Sequence, residues 1–116
     1  MSGSLKGYRD GLLAETIAAF FLICKGYRIL NRRYKTTAGE IDLIVRRRNV
    51  TVFVEVKKRG TLDDGLYAVS DHQIRRIIRA AGHYAMSHRH VGDMRFDVVA
   101  VKLPFSVRHI ESAFTS

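Results

Sequence analysis

The chain has 116 residues, a formal net charge of +9 and a single cysteine, Cys24. This length supports one hydrophobic core, which excludes a multidomain enzyme, and a lone cysteine excludes a disulfide framework and argues against oxidising export. The positive charge favours a polyanionic partner such as nucleic acid, although a soluble high-pI surface would have the same composition. We expect one domain over residues 1–116, located in the cytoplasm.

The first predicted element is a helix that Asp10 caps and Lys25–Gly26 ends. It contains Glu15 and is too short to span a bilayer, so a core helix is expected rather than a signal sequence or membrane anchor. Glu15 lies on the side of the helix opposite the apolar stripe that is predicted to be buried. Helical geometry therefore favours an exposed position for its side chain, and the alternative is that Glu15 contributes to an acidic site. The predicted buried stripe consists of Leu13, Ile17, Phe20, Phe21 and Cys24, the last as a buried thiol.

Three strands are predicted next. Residues 27–30 form a short one, and the alternating segments 39–45 and 52–57 form a hairpin. Alternation places Ile41, Leu43 and Val45 on one face and the charged residues on the other. If Arg48 and Asn49 are the central residues of the turn, antiparallel pairing sets Asp42 against Glu55 and Glu40 against Lys57. Two adjacent strands then carry a four-residue polar cluster.

The opposed carboxylates of Asp42 and Glu55 point to a cation. Like charges with Cβ atoms about 4.5–5.5 Å apart destabilise a sheet, and a hard divalent ion such as Mg²⁺ would compensate for them. Lys57 would lie about 6–7 Å further along the strand from Glu55, within reach of a water or a scissile phosphate. The alternative is a solvated sheet face on which Glu40 and Lys57 pair across the strands.

The second half of the chain predicts a mobile loop, a helix and one or two strands. The loop covers residues 61–67, and Ser70 and Gln73 form a capping box at the helix start. Residues 95–101 are predicted as a strand and residues 106–110 as an optional last one. The predicted order is therefore αβββαβ with an optional C-terminal strand. The helix is expected to bury Ile74, Ile77, Ile78, Ala81 and Ala85.

Three segments together carry a resemblance to a known family. Residues 39–44, 52–59 and 95–99 resemble the YraN-like family of small uncharacterised bacterial proteins, and the similarity extends over nearly the whole chain. The family is assigned to the PD-(D/E)XK, or restriction-endonuclease-like, superfamily. The resemblance implies an α/β fold of the α+β type with a mixed sheet, and a nuclease similar to archaeal Holliday-junction resolvases. It implies DNA as the expected nucleic acid, no membrane partner, and a homodimer by analogy with resolvases.

The resemblance also implies roles for individual residues. Asp42 and Glu55 would bind Mg²⁺ or Mn²⁺ with the carbonyl of Val56 as a third ligand, and Lys57 would orient or activate the attacking water. Glu15 matches a first-helix glutamate of the resolvases, which reverses the expectation from helical geometry. Two further roles are less specific: Glu40 would bind a second ion or orient Lys57, and Gln73 would approach the phosphate, although its capping role explains it equally well.

Basic residues are expected to grip phosphates, with a solvated turn and a charged helix surface as the alternative. A non-catalytic nucleic-acid-binding module of the same fold is the competing function. A subunit whose partner supplies missing active-site groups is a third. The basic residues expected to contact nucleic acid are Arg46, Arg47, Arg48, Lys58, Arg59, Arg75, Arg76 and Arg79.

Overall fold

The computed structural model describes residues 2–59 and 69–116, with side chains from residue 5 onward. The predicted order, including the optional last strand, is confirmed, while the predicted loop over residues 61–67 lies outside the described residues. The elements are α1 (Ser2–Cys24), β1 (Arg28–Lys35), β2 (Glu40–Arg47), β3 (Val50–Lys58), α2 (Asp71–Ser87), β4 (Asp93–Lys102) and β5 (Ser106–Phe114).

The five strands form one mixed sheet in the order β1-β2-β3-β4-β5. All neighbours are antiparallel except β3 and β4, which run parallel. Two parallel strands need a crossover connection, and here α2 lies between them in sequence. The α/β class with a mixed sheet is therefore confirmed.

The two helices cover opposite faces of the sheet. On one face α1 packs Ala14, Ala18 and Leu22 against residues such as Leu43 and Val54. On the other face α2 packs a second apolar cluster, which contains Ile77, Ala81, Tyr84, Phe53 and Phe96. The centre of β3 is buried on both sides, which explains why its sequence is nearly continuous in apolar residues rather than alternating.

The prediction for α1 was wrong in its start and in its buried face. Asp10 lies inside the helix, where its carboxylate binds Lys6 at 3.1 Å and Lys58 at 2.9 Å. Leu13 and Phe20 are exposed, as is the Cys24 thiol, because the buried face is instead built from alanines with Leu22. A helix that is apolar nearly all round gives no periodic signal for the face that packs. Among the described helices, none combines the length and hydrophobicity that a membrane span needs.

The prediction for α2 is largely confirmed. Ser70 and Gln73 form the capping box, in which the backbone amide of Gln73 donates to the Ser70 hydroxyl at 3.2 Å. Ile77 and Ala81 are buried as predicted, whereas Ile74, Ile78 and Ala85 are only partly buried. Ala80 and Tyr84 are buried members that the prediction missed. The strand after α1 was predicted too short, since β1 continues to Lys35.

A buried carboxylate in β4 ties the last strand to the sheet. Asp97 is fully buried and accepts hydrogen bonds from the Arg95 guanidinium at 2.8 and 2.9 Å and from the Ser112 amide at 3.0 Å. The His109 Nε2 lies 2.7 Å from Asp97, and its Nδ1 lies 2.7 Å from the Lys25 ammonium. An ammonium can only donate, so Nδ1 accepts and Nε2 carries the proton that is donated to Asp97. Burial raises the Asp97 pKa, but these hydrogen bonds outweigh it and hold the pKa below its usual value.

We expect Asp97→Ala to lower the free energy of unfolding by about 3–5 kcal/mol, because it leaves the Arg95 charge and the His109 ring without their buried partner. Urea denaturation at neutral pH measures this change. Asp93→Ala is the matched control, since Asp93 lies on the same strand but is exposed. Equal effects of the two substitutions would contradict the role given to Asp97.

Candidate active site

The β2–β3 hairpin has the predicted register. Leu43 faces Val54 and Arg47 faces Val50, with Arg48 and Asn49 in the turn. Arg48 adopts a positive φ of 57°. The same register sets Asp42 against Glu55, but backbone pairing stops one position earlier, at Leu43 and Val54.

Asp42 occupies the point where the two strands part. Its Oδ2 accepts a hydrogen bond from the Val56 backbone amide at 2.8 Å. In a continued β2–β3 ladder a backbone carbonyl of β2 would accept that hydrogen bond, and here the Asp42 side chain replaces it. The predicted alternation fails at this point, because Ile41 packs with the α2 cluster while Leu43 and Val45 pack with the α1 cluster. The prediction that these three share a face was therefore wrong. The break leaves the Asp42 carboxylate accessible from both sides of the sheet.

Two clefts meet at the acidic residues. The cleft beside α2 has a volume of about 270 Å³ and is lined by Gln73 and Arg76. The cleft beside α1 has a volume of about 400 Å³ and includes Glu15 in its wall. Both clefts share three acidic residues, namely Glu40, Asp42 and Glu55.

The carboxyl groups of Asp42 and Glu55 lie next to each other, and each affects the pKa of the other. Burial, followed by the negative charge of Glu55, raises the pKa of Asp42 to about 8. Burial also raises the Glu55 pKa, although the ammonium of Lys57 opposes this. Because the Asp42 pKa is about 8, the metal-free pair retains one proton near neutral pH, and the two carboxyl groups can share it in a hydrogen bond. A cation bound between them would replace that proton.

Lys57 lies beside the acidic pair. Its Nζ is 3.5 Å from Glu55 Oε1, and the two side chains are only 14% and 13% exposed. The predicted cross-strand pair of Lys57 with Glu40 is not found among the described ion pairs. Glu40 is exposed instead, and its negative charge contributes to raising the pKa of both Asp42 and Glu55. Glu40 therefore acts on the site through its field.

Glu15 belongs to the acidic cluster rather than to the exposed side of α1. It is 7% exposed, and the charge of Asp42 adds to burial in raising its pKa. Arg33 Nε lies 3.4 Å from the carboxylate, and Oε1 is buried without a hydrogen-bond partner in the described part of the chain. The expectation from helical geometry was wrong, and the position agrees with what the family resemblance implied.

The first turns of α2 lie against the site. The Gln73 side chain accepts a hydrogen bond from the Ser70 amide at 3.2 Å while it lines the α2-side cleft, so its capping role is observed and its approach to a phosphate stays a prediction. Gly39 lies so close to α2 that a Cβ added there would be 2.9 Å from the Arg76 carbonyl oxygen. Arg76 in turn donates to the Ala38 carbonyl at 3.2 Å.

We expect Gly39→Ala to destabilise the protein by about 1–3 kcal/mol, because the new methyl group must push the α2 backbone away. Urea denaturation measures the loss. Gly82→Ala is the control, since a Cβ at that helical glycine meets no atom within 4 Å and should leave stability unchanged or raise it. A harmless Gly39→Ala would show that the approach of α2 is not tight.

The predicted basic residues separate into two groups. Arg76 lines the α2-side cleft and Lys58 the α1-side cleft, while Arg75 and Arg79 are exposed on α2. Arg59 is partly buried and donates to the Lys58 carbonyl. The hairpin-tip residues Arg46, Arg47 and Arg48 lie four to six positions from Asp42 along the hairpin, or about 13–20 Å. These three residues therefore lie apart from the acidic pair.

Three side chains with polar or charged groups line the α1-side cleft but were not predicted as site residues: Tyr8, Arg33 and Lys35. Arg33 and Lys35 lie at the end of β1, whose length the analysis underestimated, and Lys35 pairs with Glu40 in the sheet. A strand continued to Lys35 would have placed both next to the acidic cluster. Tyr8 carried no such signal.

The site provides oxygen ligands of the kind that Mg²⁺ or Mn²⁺ requires. Residues 2–59 and 69–116 contain no group of three His, Cys, Asp or Glu side chains arranged for a metal. Two carboxylates are available at Asp42 and Glu55, and the Val56 amide already points to Asp42. The N–H and C=O of one strand residue point to the same side, so the Val56 carbonyl faces the same gap. Two carboxylates with one carbonyl fit a hard cation that retains several waters.

Comparison with known proteins identifies the family. The profile described as Uncharacterised protein family UPF0102 matches residues 14–101. A UPF0102 protein of Rhodopseudomonas palustris (strain BisB18) is 50% identical, over 92% of this chain and 81% of its own length. One from Nitrobacter winogradskyi is 47% identical, over 92% of both chains. The resemblance to the YraN-like family is thereby confirmed, and the chain belongs to the UPF0102 family of uncharacterised proteins.

Proposed function

We propose that the protein is a metal-dependent nuclease that hydrolyses phosphodiester bonds. The observation that carries this proposal is the pair of adjacent, mostly buried carboxyl groups of Asp42 and Glu55, with Lys57 beside them, where two open clefts meet. Burial of two like-charged groups at one point is costly, and nothing in the packing of the core requires it. A site that binds a cation and a phosphate accounts for that cost.

Each residue of the site has a separate part in this proposal. Asp42, Glu55 and the Val56 carbonyl would hold Mg²⁺ or Mn²⁺, which when bound supplies charge neutralisation at the phosphate oxygens. Lys57, held by Glu55, would donate a hydrogen bond to the attacking water or to a phosphate oxygen and steady it. Glu15 would accept a proton from water or orient it, and the support for this role is that its Oε1 lacks a hydrogen-bond partner among the described residues.

The substrate that we propose is nucleic acid. The net charge of +9 supports it, as do the cations that border the two clefts, including Arg33, Lys35 and Arg76. DNA, and branched DNA cut by a homodimer in particular, is proposed from the resemblance to resolvases, which is an argument from fold and motif alone.

Incubation of purified protein with Mn²⁺ or Mg²⁺ and end-labelled substrates tests the proposal. Single strands, duplex and four-way junctions should be supplied in parallel, as DNA and as RNA. We expect at least one substrate to be cleaved by the wild type and by Arg9→Ala, but not by Asp42→Asn. Intact substrates at every protein concentration, or cleavage that Asp42→Asn retains, would contradict the proposal.

A non-catalytic nucleic-acid-binding module is the second candidate. The proton that Asp42 and Glu55 can share favours it, because the pair then satisfies itself without any cation. Replacing both by Asn and Gln distinguishes the two functions. A binding module would keep its affinity for nucleic acid in this double variant and would show no cleavage in any form.

A further inference from the structure

A third cavity, separate from the two clefts at the acidic pair, lies at the opposite end of the β2–β3 hairpin. It has a volume of about 400 Å³ and lies between β1, β2 and the C-terminal end of α2. Three arginines and two histidines line it, and no acidic residue does. We call this cavity the basic pocket and define it by Arg28, Arg46, Tyr84, His88, Arg89 and His90.

Two of these arginines lie directly opposite each other on adjacent strands. Arg28 in β1 pairs directly with Arg46 in β2. Directly opposed side chains in an antiparallel pair have Cβ atoms about 4.5–5.5 Å apart, and like charges at that distance destabilise the sheet. No carboxylate forms an ion pair with either arginine in the described part of the chain. An anion between them would remove the repulsion.

The Arg46 guanidinium is fixed in position by neutral groups. It donates to the His90 carbonyl at 2.6 Å, the Val91 carbonyl at 3.0 Å and the Thr51 hydroxyl at 3.1 Å. It also donates to Asn49 Oδ1 at 3.2 Å. These bonds use up most of its donors, so Arg46 contributes a fixed positive charge and few free N–H groups. None of these partners carries a negative charge that would cancel it.

Arg28 and Arg89 supply the free donors. Both are exposed, and neither forms a hydrogen bond or ion pair with the described residues. Each guanidinium presents a planar fork of N–H groups that matches two oxygens of a phosphate. The wall of the pocket is rigid, because the rings of Tyr84 and His88 stack at 3.8 Å and His88 Nδ1 lies 2.9 Å from the Tyr84 carbonyl. The free N–H groups of Arg28 and Arg89 therefore lie beside the fixed charge of Arg46 and the stacked rings of Tyr84 and His88. Such an arrangement suits an oxyanion.

We propose that the basic pocket binds a phosphate group through Arg28 and Arg89, with Arg46 as the fixed charge beneath it. Assigning that phosphate to a nucleic acid strand rests on the proposed function, since Arg46 lies about 13 Å along β2 from Asp42. One strand that reaches both points would be held at the pocket while a different phosphate meets the acidic pair. The pocket would then fix where the strand lies relative to the acidic pair.

Binding of a labelled single-stranded oligonucleotide, measured by fluorescence anisotropy in EDTA over a range of salt concentrations, tests this inference. We expect Arg28→Ala with Arg89→Ala to weaken binding at least tenfold and to flatten the salt dependence by about 0.7 units of slope, the value for the loss of one phosphate contact on a single strand. The matched control is Arg9→Ala with Lys102→Ala, which removes two exposed cations elsewhere and should change affinity no more than about threefold. Equal losses in the two double variants would overturn the proposal.

Titration with inorganic phosphate, followed by amide chemical shifts, distinguishes the sources of the phosphate. Shifts confined to residues 28, 46 and 84–91, together with weaker oligonucleotide binding in the variant, support a nucleic acid phosphate. The same shifts with unchanged oligonucleotide binding support the pocket but assign it to a free phosphate or a mononucleotide. Absent or scattered shifts would overturn the assignment.

Two features of the experiment separate a loss of phosphate binding from a loss of nuclease activity and from unfolding. The assay measures no cleavage and contains no divalent cation, so a negative nuclease test leaves its outcome unchanged. Thermal melting of Arg28→Ala shows whether the fold is intact. Because the substitution removes a like-charge contact with Arg46, we expect a melting temperature equal to that of the wild type or higher.

Discussion

Asp42→Asn should make the metal-free protein more stable at pH 8, by on the order of 5 kcal/mol, and should change its stability little at pH 4. The pKa of Asp42 is raised from 3.8 to about 8 in the folded protein, by burial and then by Glu55. Between these values the folded protein keeps a proton that the unfolded chain loses. The stability contributed by this proton is complete below about pH 4 and is lost as the pH rises through the folded pKa.

An asparagine in the same place cannot ionise, so its contribution does not fall with pH. Its side-chain carbonyl can still accept the Val56 amide hydrogen, and its amide group can donate to Glu55. Thermal melts from pH 4 to pH 9 for the wild type, Asp42→Asn and Asp93→Asn measure the effect. Asp93 is exposed on β4, so Asp93→Asn should follow the wild type. Parallel curves for the wild type and Asp42→Asn would contradict the raised pKa.

The same melts test the proposed metal site. In that site Mn²⁺ would compete with the proton for the two carboxylates, so it should stabilise the wild type increasingly as the pH rises towards 8. At one hundred times its dissociation constant a bound ion contributes about 2.7 kcal/mol. Asp42→Asn should lose this gain, and Asp93→Asn should keep it. A gain that survives in Asp42→Asn would place the ion elsewhere.

Lys57→Met should slow cleavage by about 10²–10⁴-fold while leaving the stabilisation by Mn²⁺ intact. The ammonium is mostly buried and contacts Glu55. In the proposed mechanism it donates to the attacking water or to a phosphate oxygen. It is not a metal ligand, so its removal should not prevent the ion from binding. Methionine keeps most of the volume and apolar contact of the lysine stem, which limits the effect on folding.

Single-turnover cleavage with Mn²⁺, at protein concentrations above saturation, measures this rate. Lys102→Met is the matched control, because Lys102 is exposed at the end of β4 and outside the two clefts. Equal slowing of both variants would argue against a specific role for Lys57. Loss of the Mn²⁺ stabilisation in Lys57→Met would show that the lysine builds the metal site rather than acting on the substrate.

The sequence predicted the parts of the fold that local rules determine. The hairpin register followed from a two-residue turn at Arg48 and Asn49, and that register sets Asp42 against Glu55. The start of α2 followed from its capping box, because Ser70 and Gln73 have the spacing at which the two side chains satisfy each other's backbone amides. These features depend on residues that are close in sequence.

The sequence did not predict features that depend on contacts between distant segments. The buried face of α1 is set by how closely its alanines approach the sheet, and a helix that is apolar nearly all round does not show this in its pattern. The departure of β2 from β3 at Asp42 could not be read from an alternation that continues through it. The hydrogen bonds from the Arg46 guanidinium to the carbonyl groups of residues 90 and 91 also join segments that are distant in sequence.

Crystals of the protein soaked in Mn²⁺ at pH 8 test the central claim most directly. Anomalous scattering should show one ion within about 2.0–2.3 Å of an oxygen of Asp42, an oxygen of Glu55 and the Val56 carbonyl oxygen, with the hydrogen bond between the carboxyl groups broken. Asp42→Asn crystals soaked in the same way should show none there. The claim is contradicted if saturating Mn²⁺ leaves the two carboxyl groups hydrogen-bonded to each other with no ion between them.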